Sequence, residues 1–194
     1  MTTQRTDTDD RREQLLAAAL DCFVSKGFHG TAVPEVARKA GMATGTMYHY
    51  FPSKQALVNA LFRKWKEAIA TRVFLAFPAA APVREQFRVM WGEMAAFALA
   101  NPAAFQFLEL HHHRSYLDAE SLAMENRLKD FAALIVGQAQ ARGEVKAGST
   151  RLLMELVFGA FTGMMRAHYD GVVPLTPEAL ALAERACWDS LAAR

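Results

Sequence analysis

The sequence predicts an all-α protein of about nine helices, in which an N-terminal three-helix domain precedes a larger helical domain. Three observations carry that expectation. Apolar residues recur at helical spacing along almost the whole chain, and no stretch of several residues alternates as a half-buried strand requires. Glycine and proline punctuate the periodic segments. With 194 residues and 52% hydrophobic content, the chain is long and apolar enough for one substantial core or two small ones.

The first helix is expected from about Asp10 to Lys26, burying Leu15, Leu16, Ala19, Leu20 and Phe23, with Gly27 supplying a left-handed cap. A short helix follows over about Val33 to Ala40, with Pro34 in its opening turn and Gly41 as its exit. A second short helix spans about Thr44 to Tyr50. Pro52 cannot continue it, and Ser53 is a natural N-cap for a longer helix carrying Leu57, Leu61, Trp65 and Ile69 on one face. The run from Pro78 to Pro82 breaks the pattern. A helix then presents Phe87, Met90, Trp91, Met94 and Phe97 until Asn101-Pro102. Further helices read as about Ala103 to His113, Asp118 to Arg142, Thr150 to His168 and Pro177 to Ala193, the last capped by Thr176. The domain expectation is a flexible arm over 1–10, a three-helix domain over 11–55 and a second, larger helical domain over 56–194.

Composition narrows the classes. The opening MTTQRTDTDDRREQ has no apolar core for export, and no later stretch approaches the ~20 apolar residues that span a bilayer, so a cytoplasmic, non-membrane protein is expected. Cys22 and Cys187 stand far apart and outside any metal-ligand spacing; both read as buried thiols. Net charge is only +2, but residues 1–72 carry 11 Lys/Arg against 7 Asp/Glu, whereas residues 73–194 carry 11 against 13. The basic balance lies in the N-terminal third.

Two short helices separated by Gly41-Met42-Ala43 form a helix-turn-helix candidate, packed through Val36, Ala37, Ala40 and Met47. The second helix leaves Thr44, Gly45, Thr46, Tyr48 and His49 as a polar, nearly uncharged face, suited to bases and phosphates. Aromatic packing is the plainer reading of Tyr48 and His49; Tyr50 and Phe51 remain core candidates. A lysine in a helix's first turn opposes the macrodipole, but a phosphate placed there meets both Lys54 and the open backbone amides.

Residues 11–65, and above all VARKAGMATGTMYHYFPSKQAL, resemble the N-terminal domain of TetR/AcrR-family regulators. The remainder is similar to that family in length, helicity and order of helices. The resemblance implies that Thr44–Tyr50 is a recognition helix, with Thr44, Gly45 and Thr46 nearest the base edges. It implies phosphate contacts at Tyr48, His49, Lys54 and Thr31. Ala43 stands where the family commonly has serine as helix cap, so Thr44 is the alternative cap. The implied partners are a double-stranded DNA operator, a second copy of the chain and a small-molecule effector; no cofactor, metal or enzymatic activity is implied.

In the C-terminal region, Trp91, Met94, Phe97, Phe107, Leu108, His111, Met154, Phe158 and Phe161 are candidates to line a largely apolar effector cavity. Core packing is the plainer reading for most of them. His111 continues the apolar line of Ala104, Phe107 and Leu108 and is either a hydrogen-bonded core histidine or a polar fixture of the pocket. His111, His112 and His113 point about 100° apart on a helix, and none has a ligand four residues on, so a metal site is not expected. Gly159 and Gly163, four apart in one helix, each cost ~1 kcal/mol relative to alanine. Close approach of another helix compensates, and Ala179, Ala183, Ala186 and Cys187 offer small partners. In the family the last two helices form a four-helix dimer interface. Two other functions compete: a DNA-binding protein without an effector, and a helical enzyme using the histidines of 111–113, or His168, with Glu109.

Overall fold

The structure, a computed structural model, describes residues 3–110 and 114–193. Among the described residues there are nine α-helices and no strand, with one isolated bridge between Val145 and Ala192. The helices are α1 (Thr3–Gly30), α2 (Val33–Lys39), α3 (Thr44–Tyr50), α4 (Lys54–Ala76), α5 (Val83–Ala100), α6 (Pro102–Phe105), α7 (Ala119–Ala141), α8 (Thr150–Tyr169) and α9 (Pro177–Leu191). Helical backbone already begins at Thr3, where the sequence suggests an arm; nothing between there and Asp10 is a helix breaker.

The chain divides into two compact units. The first takes the residues up to Lys66 together with 103–123, and the second takes 67–102 with the residues from Met124 onward. The first unit is therefore not the first stretch of sequence alone.

In the first unit, Leu15, Leu16, Ala19, Leu20 and Phe23 of α1 are buried with Val36, Ala37, Met47, Leu57, Val58, Leu61, Phe105, Phe107 and Leu108. Gly27 adopts φ 67° and breaks the helical backbone inside α1, at the position expected to end it. Ser53 caps α4 by accepting from the Ala56 amide at 3.0 Å. The helix expected over 103–113 is instead α6 followed by a π-helical turn over Gln106–Leu110; a single 3-10 turn then spans Arg114–Tyr116. Within the wider π turn, Phe107 and Leu108 are both buried and Glu109 meets Lys66 at 2.6 Å, a pair only 13% and 12% exposed. That tertiary pairing overrides the regular turn which spacing alone suggests.

In the second unit, Phe87, Trp91, Ala95, Phe97 and Ala98 of α5 are buried with Phe161 and Met165 of α8 and Cys187 and Leu191 of α9. Trp91 meets Phe161 edge-on at 4.9 Å and Phe87 meets Trp188 at 5.5 Å. Arg84 forks onto the buried Glu184 carboxylate with bonds of 2.5 and 2.8 Å, tying α5 to α9. Tyr169 donates to the Ala98 carbonyl at 2.8 Å, and burial pushes its phenol up to about 12. One expectation is corrected here: a side chain at Gly159 or Gly163 would meet no atom of the chain within 4 Å among the described residues. Ala179, Ala183, Ala186 and Cys187 do not close on these glycines within one chain, because Gly159 and Ala160 lie on an outward face of α8.

Gly41 holds φ 70°, and through it the Met42 amide turns back to the Ala37 carbonyl at 2.9 Å. No steric contact opposes a methyl group there, so only backbone conformation penalises one. Gly41→Ala is expected to cost about 1 kcal/mol and lower the thermal midpoint by ~2–4 °C. An unchanged midpoint by calorimetry would contradict the left-handed turn.

Candidate nucleic-acid interface

Helices α2 and α3 and the turn between them form the surface. Pro34 sits in the first turn of α2, where a missing amide donor costs little, and the helix closes with the Ala40 N–H on the Val36 carbonyl at 2.9 Å and the Gly41 N–H on the Arg38 carbonyl at 3.1 Å. Ala43 is the N-cap of α3, in extended conformation and without a side-chain bond; Thr44 is inside the helix and does not act as the cap. Met47 is fully buried and anchors α3 on its inner side. Gly45, Tyr48 and His49 are exposed on the other side, with Thr44 and Thr46 half-buried between. Tyr50 is half-buried and Phe51 is buried, closing the helix onto the core. A Cβ at Gly45 would meet nothing within 4 Å among the described residues, so its missing side chain leaves room outside the chain.

Thr31 and Lys54 have a different setting from the one their resemblance implies. Thr31 is 1% exposed, and its hydroxyl donates to the Gly27 carbonyl at 2.8 Å and the Cys22 carbonyl at 3.0 Å. The hydroxyl therefore faces inward, onto backbone carbonyls near the end of α1. Lys54 donates to the carbonyls of Phe28 at 2.7 Å and Thr31 at 2.9 Å, with its ammonium 4.3 Å from the centre of the Phe28 ring. It closes the C-terminal end of α1, a position where a cation also complements the macrodipole. Beside this surface Lys26 pairs with Glu35 at 2.5 Å, and that hydrogen bond holds the Glu35 carboxyl below the usual range. Lys39 pairs with Asp21 at 2.9 Å.

A set of side chains that the sequence reading does not single out completes this end of the unit. Tyr116 stacks on Phe28 with ring centres 4.0 Å apart, and its hydroxyl lies 2.6 Å from His29 Nε2. Asn59, 1% exposed, donates to the Tyr116 carbonyl at 2.8 Å and accepts from the Asp118 amide at 2.8 Å. Arg63 meets both oxygens of Asp118 at 3.0 and 2.9 Å. The Asp118 carboxyl also accepts the Ser121 amide, and despite the opposing effect of burial these bonds hold it below its usual range. The only sequence signal for this set is Asn59 itself, a lone amide within the apolar run Leu57–Phe62.

The solved structures and curated proteins agree with this geometry. Residues 15–61 match the family model of bacterial regulatory proteins of the tetR family, and residues 61–193 match that of the tetracyclin repressor-like C-terminal domain. The chain belongs to the TetR family. It is a helix-turn-helix transcriptional regulator of that family, similar at 25% identity over 177 residues to the HTH-type transcriptional regulator UidR of Escherichia coli K12, covering 82% of this chain and 84% of UidR. It is 43% identical over 54 residues to the HTH-type transcriptional regulator RutR of the same strain, spanning 28% of this chain and 26% of RutR. A crystal structure of a TetR family transcription regulator from Marinobacter aquaeolei VT8 superposes with a TM-score of 0.86 at 26% identity, covering 98% of this chain and all of that one.

Within the C-terminal half of this TetR-family chain, the predicted effector residues divide between the units. Trp91, Phe97 and Phe161 are buried in the second unit, where Met94, Met154 and Phe158 are half-buried and Phe158 stacks on Phe161 at 6.5 Å. Phe107 and Leu108 are buried in the first unit, Phe107 against Phe23 at 6.1 Å. His111, His112 and His113 lie outside the described residues. The Trp91 indole N–H is buried and has no acceptor among the described residues. Glu109, named in the enzyme alternative, is engaged by Lys66. No helix is long and apolar enough to cross a membrane, and no cluster of three metal-ligating side chains occurs among the described residues.

The Lys54 bonds to two carbonyls give it a structural role that needs no DNA. Lys54→Met is expected to lower the unfolding free energy by about 1–2 kcal/mol in urea titrations of the DNA-free protein. A variant as stable as the parent would show that these two bonds do not hold the turn.

Proposed function

We propose that this regulator is a cytoplasmic repressor that binds a palindromic operator as a homodimer and is released by a small, largely apolar effector. The observation that carries the reading is the outer face of α3, where exposed, uncharged hydrogen-bonding side chains stand on a helix anchored by one buried methionine. Thr44, Gly45 and Thr46 face base edges. Tyr48 and His49 contact phosphates, and Lys54 does so with the ammonium donor that the Phe28 and Thr31 carbonyls do not take. Thr31 contributes through the carbonyl it offers Lys54 rather than through its hydroxyl.

Dimerisation is supported by an apolar stripe on the last two helices. Leu152, Leu156 and Leu182 are 59%, 60% and 63% exposed. Beside Leu156 a groove of about 360 Å³ is lined by Leu153, Leu156, Ala160, Ala186, Cys187, Ser190 and Leu191. Contiguous apolar surface of this kind marks an interaction site, and a second copy covering it supplies the contact that Gly159 and Gly163 lack within one chain. Ala179, Ala183, Ala186 and Cys187 then belong to the facing helices.

The effector reading rests on Trp91. An indole N–H buried without an acceptor costs about 1–3 kcal/mol, and an oxygen or nitrogen atom of a ligand would recover it. Trp91, Met94, Phe97, Met154, Phe158 and Phe161, all of the second unit, are the candidates for the apolar part of that environment. An effector shifts operator affinity only by preferring one conformation of the regulator over another.

Footprinting on DNA selected by the protein from a genomic library tests the central reading. Two half-sites ~34–36 Å apart should be protected. Protection of one asymmetric half-site by a monomer would overturn the model. Thr46→Ala is expected to change base preference, whereas Tyr48→Phe should weaken all operators alike. In sedimentation, Gly159→Leu with Gly163→Leu is expected to shift the protein from dimer toward monomer and weaken operator binding with it. An undisturbed dimer would remove α8 from the interface.

A further inference from the structure

The turn over residues 27–31 leads from α1 into α2 and carries the carbonyls that seat Lys54. The Phe28 ring lies stacked 6.2 Å from Phe23 and is covered by Tyr116, which arrives from a part of the sequence 87 residues beyond His29. Tyr116 has three separate holds. Its ring lies at 18° to Phe28, its hydroxyl bonds His29, and its carbonyl accepts from both Asn59 and Gln55 of α4. Lys54 stands on the same Phe28 ring. Tyr116 is thus reached from two helices of the unit, by α1 through the ring and by α4 through the backbone.

The bonds differ in what they do. Asn59 and Gln55 hold backbone, so they fix where the 114–118 segment runs whatever its side chains are. The Tyr116 ring acts in the opposite direction, from that segment onto Phe28. A stacked ring limits the rotamers of Phe28 and with them the path of the neighbouring carbonyl that Lys54 uses.

We propose that Tyr116 is a positioning residue for DNA binding: held by α4, it fixes the 27–31 turn and thereby the aim of Lys54 at the phosphate backbone. This rests on the assignment of Lys54 as a phosphate contact. Tyr116 itself touches no DNA. A rearrangement of the 114–118 segment would release Phe28, loosen the Lys54 seat and lower operator affinity without any change in α3.

The test uses full-length dimeric protein and an operator selected by the parent. Tyr116→Ala and Tyr116→Leu are expected to weaken binding about tenfold, and Tyr116→Phe, which keeps the stacked ring, to restore most of the loss. Leucine serves where alanine unfolds the protein. In a Lys54→Ala background the Tyr116→Leu effect should shrink below about threefold, because no aimed ammonium remains to be misplaced. Amide chemical shifts of residues 27–33 in the DNA-free protein should move in Tyr116→Leu, while those of α8 and α9 stay in place. Unchanged affinity of Tyr116→Leu, an undiminished effect in the Lys54→Ala background, or unmoved shifts at 27–33 would each overturn the proposal. A parent that selects no DNA would overturn the interface and the proposal together, whereas a parent that binds with Tyr116→Leu unaffected overturns the proposal alone.

Discussion

A buried carboxamide cannot be left without partners, and that constraint at Asn59 shapes the first unit of this protein. An amide with under 2% exposure loses water on its donor and its acceptor at once, so both must be replaced from the chain. No neighbour on α4 can supply more than the Gln55 carbonyl. The Tyr116 carbonyl and the Asp118 amide do the rest, from 57 and 59 residues further on. Residues 114–118 are therefore needed to fold the N-terminal part of α4 without an orphaned polar group. Residues 103–123 belong to the first unit, held by these bonds and by the buried Phe105, Phe107 and Leu108.

The other polar contacts of α4 follow from the same placement. Once Asp118 is held at Asn59, its carboxylate lies against Arg63 and caps the first turn of α7. One turn further, Lys66 finds Glu109 on the π-helical turn, where two largely desolvated charges are better paired than apart. At the other end Lys54 closes α1 below Phe28, so one edge of α4, from Lys54 to Lys66, reaches the end of α1, the 114–118 segment and the π-helical turn. Helix α3 is held chiefly by Met47 and by the closing Phe51, which leaves its polar face open. A rigid frame with one lightly ornamented helix facing outward is the physical form of a helix-turn-helix reader in this family.

Much of this was legible in the sequence because local rules governed it. Gly27, Gly41, Ser53, Thr176 and Pro177 act in the backbone positions that their chemistry suits, and α3 runs from Thr44 to Tyr50 as the spacing implies. What spacing could not reveal depended on distant partners. The apolar line Ala104, Phe107, Leu108 continues through a π turn as well as through an α-helix, so the irregularity at Gln106–Leu110 has no local signature. Thr31 reads as an outward hydroxyl by family resemblance, yet the opened end of α1 draws it inward. Gly159 and Gly163 suggest a close contact by their spacing, but among the described residues of one chain nothing lies within 4 Å of a side chain placed there. Tyr116 lies between helices in the sequence, where loop residues carry no periodicity to mark a tertiary contact.

The central claim is that residues 103–118 and the helix-turn-helix form one cooperative body through α4. Native-state amide hydrogen exchange at increasing denaturant measures this directly, because segments that open together share one free energy and one denaturant dependence. The account requires the protected amides of α1, α4 and the Phe105–Leu108 region to converge on a common opening. Loss of protection at 103–118 well below the denaturant concentration at which α1 and α4 open would contradict it.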